Sequence, residues 1–143
     1  MELRPLQETE HADIRVLLSD NKLPTEDLDP AAIEFIVAVD DARVVGVVGL
    51  ETHANAGLLR SLAVDVAHRS TGLGAALVQA VEARARDSGL SQLVLLTQTA
   101  EAFFARRGYA VIDRSSAPPP VQSSAEFRSI CPASATCMSK LLS

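Results

Sequence analysis

The order of apolar patterns along the 143 residues predicts an α/β fold in which helices flank one mixed central sheet. Three observations predict it. Short β-branched runs between Phe35 and Val64 are separated only by polar turns, which reads as an antiparallel meander. Beyond Val64 the pattern changes to a helical period, an apolar run and a second helical period, the order of a βαβ-containing domain. No internal repeat or long linker interrupts the chain, so residues 1–143 read as one domain.

The elements follow in order. Thr9 is placed to cap a helix over Glu10 to Asp20, with Ile14, Leu17 and Leu18 as its apolar stripe. Asn21 to Pro30 reads as a loop, because Pro24 and Pro30 bracket acidic residues. Phe35 to Val39 and Val44 to Leu50 flank Asp40-Asp41-Ala42-Arg43, a hairpin signature. Gly46 and Gly49 point to a bend or close packing in the second of these strands. A polar turn, His53 to Gly57, leads into Leu58 to Val64. The turn Arg69 to Gly74 opens a helix over Leu73 to Ser88, with Leu73, Leu77, Ala80 and Val81 on one face and Gly89 at its C-cap. Leu93 to Leu96 reads as a strand buried on both sides. Thr99 is placed to cap a short helix through Arg107, ended by Gly108, and Tyr109 to Ile112 is a further strand. Ala117-Pro118-Pro119-Pro120 breaks regular structure and starts a loop, and Ala135 to Leu142 forms a last strand.

Composition narrows the function. Apolar residues make up 48%, enough for a sizeable core. A net charge of −5 argues against a sequence-blind nucleic-acid binder, and the four Phe and one Tyr leave little for base stacking. No apolar run approaches the roughly 20 residues of a membrane span. The start Met1-Glu2-Leu3-Arg4-Pro5 lacks the apolar core of a signal peptide, so a cytoplasmic protein is expected. There Cys131 and Cys137 should be reduced thiols, and their spacing lacks the second ligand pair of a structural zinc site. The expected partner is a small molecule.

The strongest local signal is Leu62-Ala63-Val64, four residues, then Arg69-Ser70-Thr71-Gly72-Leu73-Gly74. First-turn amides of the following helix have no internal acceptors and carry the positive end of its dipole. Gly72 and Gly74 would let a pyrophosphate approach the backbone, and Arg69 would add a cation. The same string could be an ordinary loop and helix start; its place between an apolar strand and an amphipathic helix favours phosphate. It lacks the spacing of the dinucleotide fingerprint and the Lys of a P-loop.

The stretch Val44 to Tyr109, with "VVGVVGLE", "LLRSLAVDVAHRSTGLGAALVQAVEARARDSG", "LVLLT" and "AFFARRGY", resembles the core of the GNAT acetyltransferase superfamily. The chain also resembles the small arsenic-resistance N-acetyltransferases of the ArsN type, through "GLLRSLAV", "LLT-x-TA-x-x-FF-x-x-x-GY" and the tail "EFRSICPASATCMSK". The first resemblance covers about half the chain and the second nearly all of it. They imply the GNAT fold and acetyl-CoA as acetyl donor. Backbone groups of Leu62, Ala63 and Val64 would hold the pantetheine arm, and amides from Ser70 through Thr71, Gly72, Leu73 and Gly74 the pyrophosphate. Thr99, Phe103 and Phe104 would border the cofactor. The strand Leu93 to Leu96 would splay from its neighbour to admit the thioester, and N–H groups of the strand ending at Val64 would face the developing oxyanion.

One departure matters. Many GNAT enzymes carry, four residues before the glycine of the short helix, a Tyr that protonates the departing thiolate; here Phe104 stands there. Tyr109 lies beyond the glycine and is expected to pack at a strand start. A thiol with a pKa near ~8.5 is a tolerable leaving group without an acid. Direct attack by a neutral amine, accelerated by proximity, is therefore the expected chemistry. Glu51 could relay a proton through water or be a solvated strand-end carboxylate. His53 is expected to be exposed in a turn, and Glu126 lies in the loop expected to cover the acceptor.

Arg60 lies within an apolar strand and must meet either an internal acid or a ligand carboxylate. A comparable Arg in the related bacterial N-acetylglutamate synthases holds the amino-acid acceptor, so the resemblance implies an amino-acid-like acceptor, with Leu58, Arg60 and Ser134 beside it. Arg128 could assist an anionic substrate. Cys131 and Cys137 are soft ligands for a metalloid or simply small residues near a strand. An arsenic- or phosphorus-containing amino acid is the implied acceptor; a glutamate-type metabolic acetyltransferase, a non-catalytic acetyl-CoA sensor and a thiol-based metalloid binder are the alternatives. Exposed sheet edges leave a homodimer open.

Overall fold

The computed structural model describes residues 1–23, 25, 28, 32–130 and 134–142. It begins with a strand that sequence patterning does not reveal. This strand, β1 (Glu2–Pro5), pairs antiparallel with β2 (Glu34–Asp40). Four residues with mixed polarity carry no readable alternation, so only the neighbouring edge specifies it. Thr9 caps nothing: it lies inside a 3-10 turn, Glu8–Glu10, whose opening is closed by the Gln7 N–H donating to the Glu10 carboxylate at 2.8 Å. Helix α1 (His11–Asp20) then buries Ile14, Leu17 and Leu18. Half of the expected loop from Asn21 to Pro30 lies outside the described residues.

The meander is present. Strand β2 turns into β3 (Arg43–His53) through Asp41-Ala42, both at positive φ (52° and 63°), which suits a two-residue hairpin in a right-twisted sheet. Strand β4 (Ala56–Val64) follows after Ala54-Asn55, a tighter turn than the His53 to Gly57 expected. Helix α2 (Leu73–Asp87) crosses to β5 (Gln92–Thr97), parallel to β4, with Gly89 at φ 79° just past the helix end. Helix α3 (Glu101–Ala105) has Ala100 at its N-cap and no side-chain cap, so Thr99 does not cap it; Thr97 Oγ1 accepts from the Ala100 N–H at 3.0 Å just before the helix. Strand β6 is only Ala110–Val111. The proline run starts a helical turn, α4 (Pro119–Gln122), because prolines fit a first turn whose N–H groups need no partner. A π-helical turn, Glu126–Ile130, precedes β7 (Thr136–Leu141).

The seven strands form one sheet in the order β1-β2-β3-β4-β5-β7-β6. One face packs against α2 through Leu77, Val78 and Val81. Side-chain alternation sends Phe35, Val37 and Val47 to the other face, where α1 covers them. Further along that face α4 covers Leu58, Val94 and Cys137 with Ala117 and Val121. Gly46 is needed for the close approach of α2: a Cβ there would come within 2.9 Å of Leu77. Among the described residues no helix is long and apolar enough to cross a membrane.

Candidate active site

Strands β4 and β5 pair only at Ala56–Leu58 with Gln92–Val94 and then part. The register explains the parting. Val47 faces Ala63 and Gly49 faces Arg60, so β4 carries one residue more than β3 across this interval. The extra residue makes a bulge at Ser61, whose φ of 57° is left-handed. A bulge bends its strand, while β5 runs straight into its ladder with β7 along Gln92–Thr97. The result is a cleft of about 180 Å³. Leu59, Arg60, Ser61 and Leu62 form one wall, Leu95, Leu96 and Thr97 the other, and Thr99, Ala100 and Phe104 lie at the α3 end. The predicted splay is therefore present, and Thr99 and Phe104 border it.

Just beyond Val64 the chain makes the turn read from the glycines. Ser70 and Gly72 adopt φ of 66° and 84°, and Gly72 is the N-cap of α2 with no side chain capping the first-turn amides. A Cβ built on Gly72 would meet nothing within 4 Å, so the loop opens to free space where a phosphate can approach. Thr71 is occupied internally, its Oγ1 donating to the His68 carbonyl at 2.5 Å. Arg69 donates to Asn21 Oδ1 at 2.7 Å and to the Val64 carbonyl at 3.4 Å, which ties the loop back to the end of α1. Gly74 lets the Phe103 ring approach the helix start, with a built Cβ only 3.3 Å from the ring. Arg107, which the sequence did not single out, stacks its guanidinium 3.7 Å over that ring.

A second clamp holds the same loop. His68 Nε2 lies 3.0 Å from Asp40 and Nδ1 lies 3.4 Å from Asp65. Two carboxylates facing two ring nitrogens suit the imidazolium, in which both nitrogens donate. The hydrogen bond that His68 donates to Asp40, reinforced by Asp65, raises the His68 pKa, and the same contact lowers that of Asp40. A raised folded-state value means that His68 contributes stability fully below its unfolded value near 6.5, and that this contribution is lost as pH rises through the higher folded value. Urea unfolding at stepped pH should show this decline above pH 6.5 in the wild type and not in His68→Gln; parallel profiles would refute it.

The main surprise lies on the α1 face. The alternation of the β3–β4 pairing puts Glu51, Leu58 and Arg60 on one face. The Arg60 side chain is fully buried between two acids: Nη1 donates to Glu51 at 2.6 Å, and Nε lies 3.4 Å from Glu126. Nε also donates to Ser61 Oγ at 3.1 Å. Of the two partners left open by the sequence, internal acids are what Arg60 meets. Glu51 is not a solvated strand end, being 8% exposed with β3 continuing to His53. Its other oxygen lies 2.8 Å from His53 Nε2, so His53 is partly sheltered rather than a free turn residue. Had β3 been extended past Leu50, the period of two would have placed Glu51 and His53 together.

Tyr109 is buried and faces away from the cleft, donating to Glu82 at 2.9 Å. Lys140 reaches the same carboxylate at 3.1 Å. Burial, with the Glu82 charge beside it, pushes the phenol far up, so it is no substitute for the missing acid. Tyr109→Phe should cost about 1 kcal/mol of stability, the net worth of one hydrogen bond, and leave any turnover unchanged. A drop in turnover would give the phenol a chemical role.

The tail residues scatter. Ser134 is exposed in the turn before β7 instead of opening the strand, and Arg128 is exposed on the π-helical turn. Cys131 lies outside the described residues. Cys137 is buried under α4, and burial pushes its thiol up despite Arg114 nearby. Among the described residues no three His, Cys, Asp or Glu side chains are grouped to hold a metal ion.

The parting of β4 from β5 and the glycine turn beyond Val64 are what the sequence resemblance led one to expect; the bulge at Ser61 is what the structure adds. The model of the acetyltransferase (GNAT) domain matches residues 31–111, more than half of the chain. The chain belongs to the GNAT acetyltransferase family. It is 35% identical over 80 residues to the uncharacterised N-acetyltransferase YjcF of Bacillus subtilis (strain 168); the match covers 55% of this chain and 57% of that relative. Rv2747 from Mycobacterium tuberculosis, solved in complex with CoA and NLQ, matches over 100% of both chains with a TM-score of 0.83 at 24% identity. N-acetylglutamate synthase from Neisseria gonorrhoeae, solved with coenzyme A and N-acetyl-glutamate, matches 99% of this chain and 35% of its own with a TM-score of 0.83 at 18% identity. At such identities the solved structures establish the GNAT fold.

Proposed function

We propose that this GNAT protein transfers the acetyl group of acetyl-CoA to the amine of a small amino-acid-like molecule. The observation that carries the proposal is the cleft between β4 and β5, bulged at Ser61 and leading to the open turn at Gly72. Strand β4 from Leu59 onward has no strand beside it on the β5 side, so backbone groups of Leu62, Ala63 and Val64 would hold an extended pantetheine arm in the manner of a ladder. Amides from Ser70 to Gly74 would take the pyrophosphate. The bound cofactor supplies an activated thioester; the protein supplies position, with Thr99, Phe103 and Phe104 beside it and Leu58, Arg60 and Ser134 toward the acceptor. Glu51, joined to His53, would pass the amine proton outward through water.

An arsenic- or phosphorus-containing amino acid is the acceptor we favour, on the similarity of the "EFRSICPASATCMSK" tail to the ArsN type. The complex of the Neisseria enzyme with N-acetyl-glutamate supports an amino-acid acceptor more broadly. We also infer a cytoplasmic protein, with the exposed Val111 and Leu141 near the β6 edge available to a second copy. Acetyl-CoA should release free CoA with amino-acid analogues and not with simple amines. A second reading, an acetyl-CoA-binding sensor, draws on Phe104 and on the inward turn of Tyr109; tight binding without release on any amine would select it.

A further inference from the structure

We infer that His68 is a positioning residue for the cofactor turn, and that acetyl-CoA binding depends on the charge of its imidazole. The inference rests on the reading of Ser70 to Gly74 as the phosphate site and adds what governs that site. The turn does not hold its own shape. Ser70 carries a Cβ yet adopts a left-handed φ of 66°, two residues before Gly72 at 84°. That conformation is costly for such a residue, so anchors outside the turn must offset it. Arg69 is one, tied to Asn21 and to the Val64 carbonyl. His68 is the other. Its carbonyl accepts from Thr71 Oγ1 inside the turn, and its ring reaches Asp40 at the end of β2.

The two anchors differ in what pH does to them. A guanidinium keeps its proton at any working pH, whereas an imidazole changes charge near neutrality. Protonated, His68 donates to Asp40 at 3.0 Å and faces Asp65 with its other nitrogen at 3.4 Å. Neutral, it keeps one N–H, so one carboxylate meets a nitrogen lone pair and that side of the bridge opens. Among the described residues His68 is the only cation in contact with both acids. Arg43, at the start of β3, lies 3.9 Å from Asp65, and it and the Met1 ammonium act on Asp40 through space. Helix α1 adds only Asp13 and Asp20, across a cavity of about 290 Å³ that Asp65 and Arg43 also line. Asp40 first, then Asp65, raises the His68 pKa, which places the change above the ordinary value of 6.5. Loss of the proton also leaves the two acids with one cation fewer beside the arriving phosphates. Both effects weaken cofactor binding as pH rises.

The test is calorimetric titration of the full chain with acetyl-CoA from about pH 6 to about pH 9. Wild-type affinity should fall at least about fivefold across this range, the low end for coupling between linked groups. A phosphate monoester takes its second charge near about pH 6, a gain that cannot produce this fall. His68→Gln should bind weakly throughout and show no fall. Asp40→Asn should keep the fall but move it to lower pH, because the stronger pull on the ring is gone. A merely structural His68 would lower affinity without moving any pH profile. The wild type gives a second reading that needs no variant to fold. Coupling is reciprocal, so bound acetyl-CoA should move the His68 imidazole titration, followed by NMR, to higher pH. An affinity flat in pH, a fall that persists unchanged in either variant, or an unmoved titration overturns the inference. Binding that is measurable but flat removes this inference alone; no binding at any pH removes the cofactor reading with it.

Discussion

Arg60→Ala is expected to destabilise the protein by about 3–5 kcal/mol, the cost of removing one partner from a buried ion pair. Glu51 and Glu126 would both lose this partner in a site where the arginine side chain itself has no exposure. Urea unfolding at neutral pH measures the loss, and it should shrink at low pH, where protonation neutralises the two acids. Arg60→Met combined with Glu51→Gln and Glu126→Gln should recover most of the stability, because these three charges are removed together. A loss below about 1 kcal/mol for Arg60→Ala, the scale of a solvent-exposed pair, would mean that the cluster is wet and that Arg60 is free to serve ligands only. At temperatures where the variant stays folded, acetyl-CoA affinity should hold while acceptor binding falls. Loss of both together would leave a structural ion pair as the whole role of the residue.

Gly72→Asp should weaken acetyl-CoA binding at least tenfold with the fold retained. The position has φ 84°, and among the described residues a Cβ there meets nothing within 4 Å, so the new side chain has room and its charge would stand at the turn proposed for the phosphates. Two charges about 4 Å apart repel by about 4 kcal/mol at an effective dielectric near 20, which exceeds the modest backbone penalty that Asp pays in the left-handed region. Gly72→Asn makes the same backbone demand without the charge and should lose far less. Calorimetric titration with acetyl-CoA gives both values. Equal losses for Asn and Asp would assign the effect to backbone strain, and undiminished binding would remove the Ser70 to Gly74 turn from the cofactor site.

The strands and helices most visible in the sequence are those whose apolar period is long. Helix α2 is defined by its helical period, the three strands of the meander by β-branched runs and β5 by a continuous apolar run, and the glycines at 72, 89 and 108 mark ends where the backbone takes a positive φ. Short or polar pieces escaped. Strand β1 has no pattern of its own, and the prolines of α4 look the same whether they start a loop or a first helical turn. Neither expected cap serves its helix: α1 starts after Glu10 and α3 after Ala100, each without a side-chain cap, because a 3-10 turn precedes α1 and Thr97 instead holds the Ala100 N–H ahead of α3.

What the sequence alone determined was therefore the family, the sheet and its helices, and the turn where a phosphate can approach, all local in character. What only the tertiary structure decided was which charges meet. Glu51, Arg60 and Glu126 lie on β3, β4 and the tail, and His68, just beyond β4, finds Asp40 at the end of β2. A charge in an apolar strand announces that a partner exists, because burying it alone is too costly. The identity of that partner depends on which side chains the folded sheet brings within about 3 Å, a distance that hydrogen-bond chemistry sets and chain separation does not.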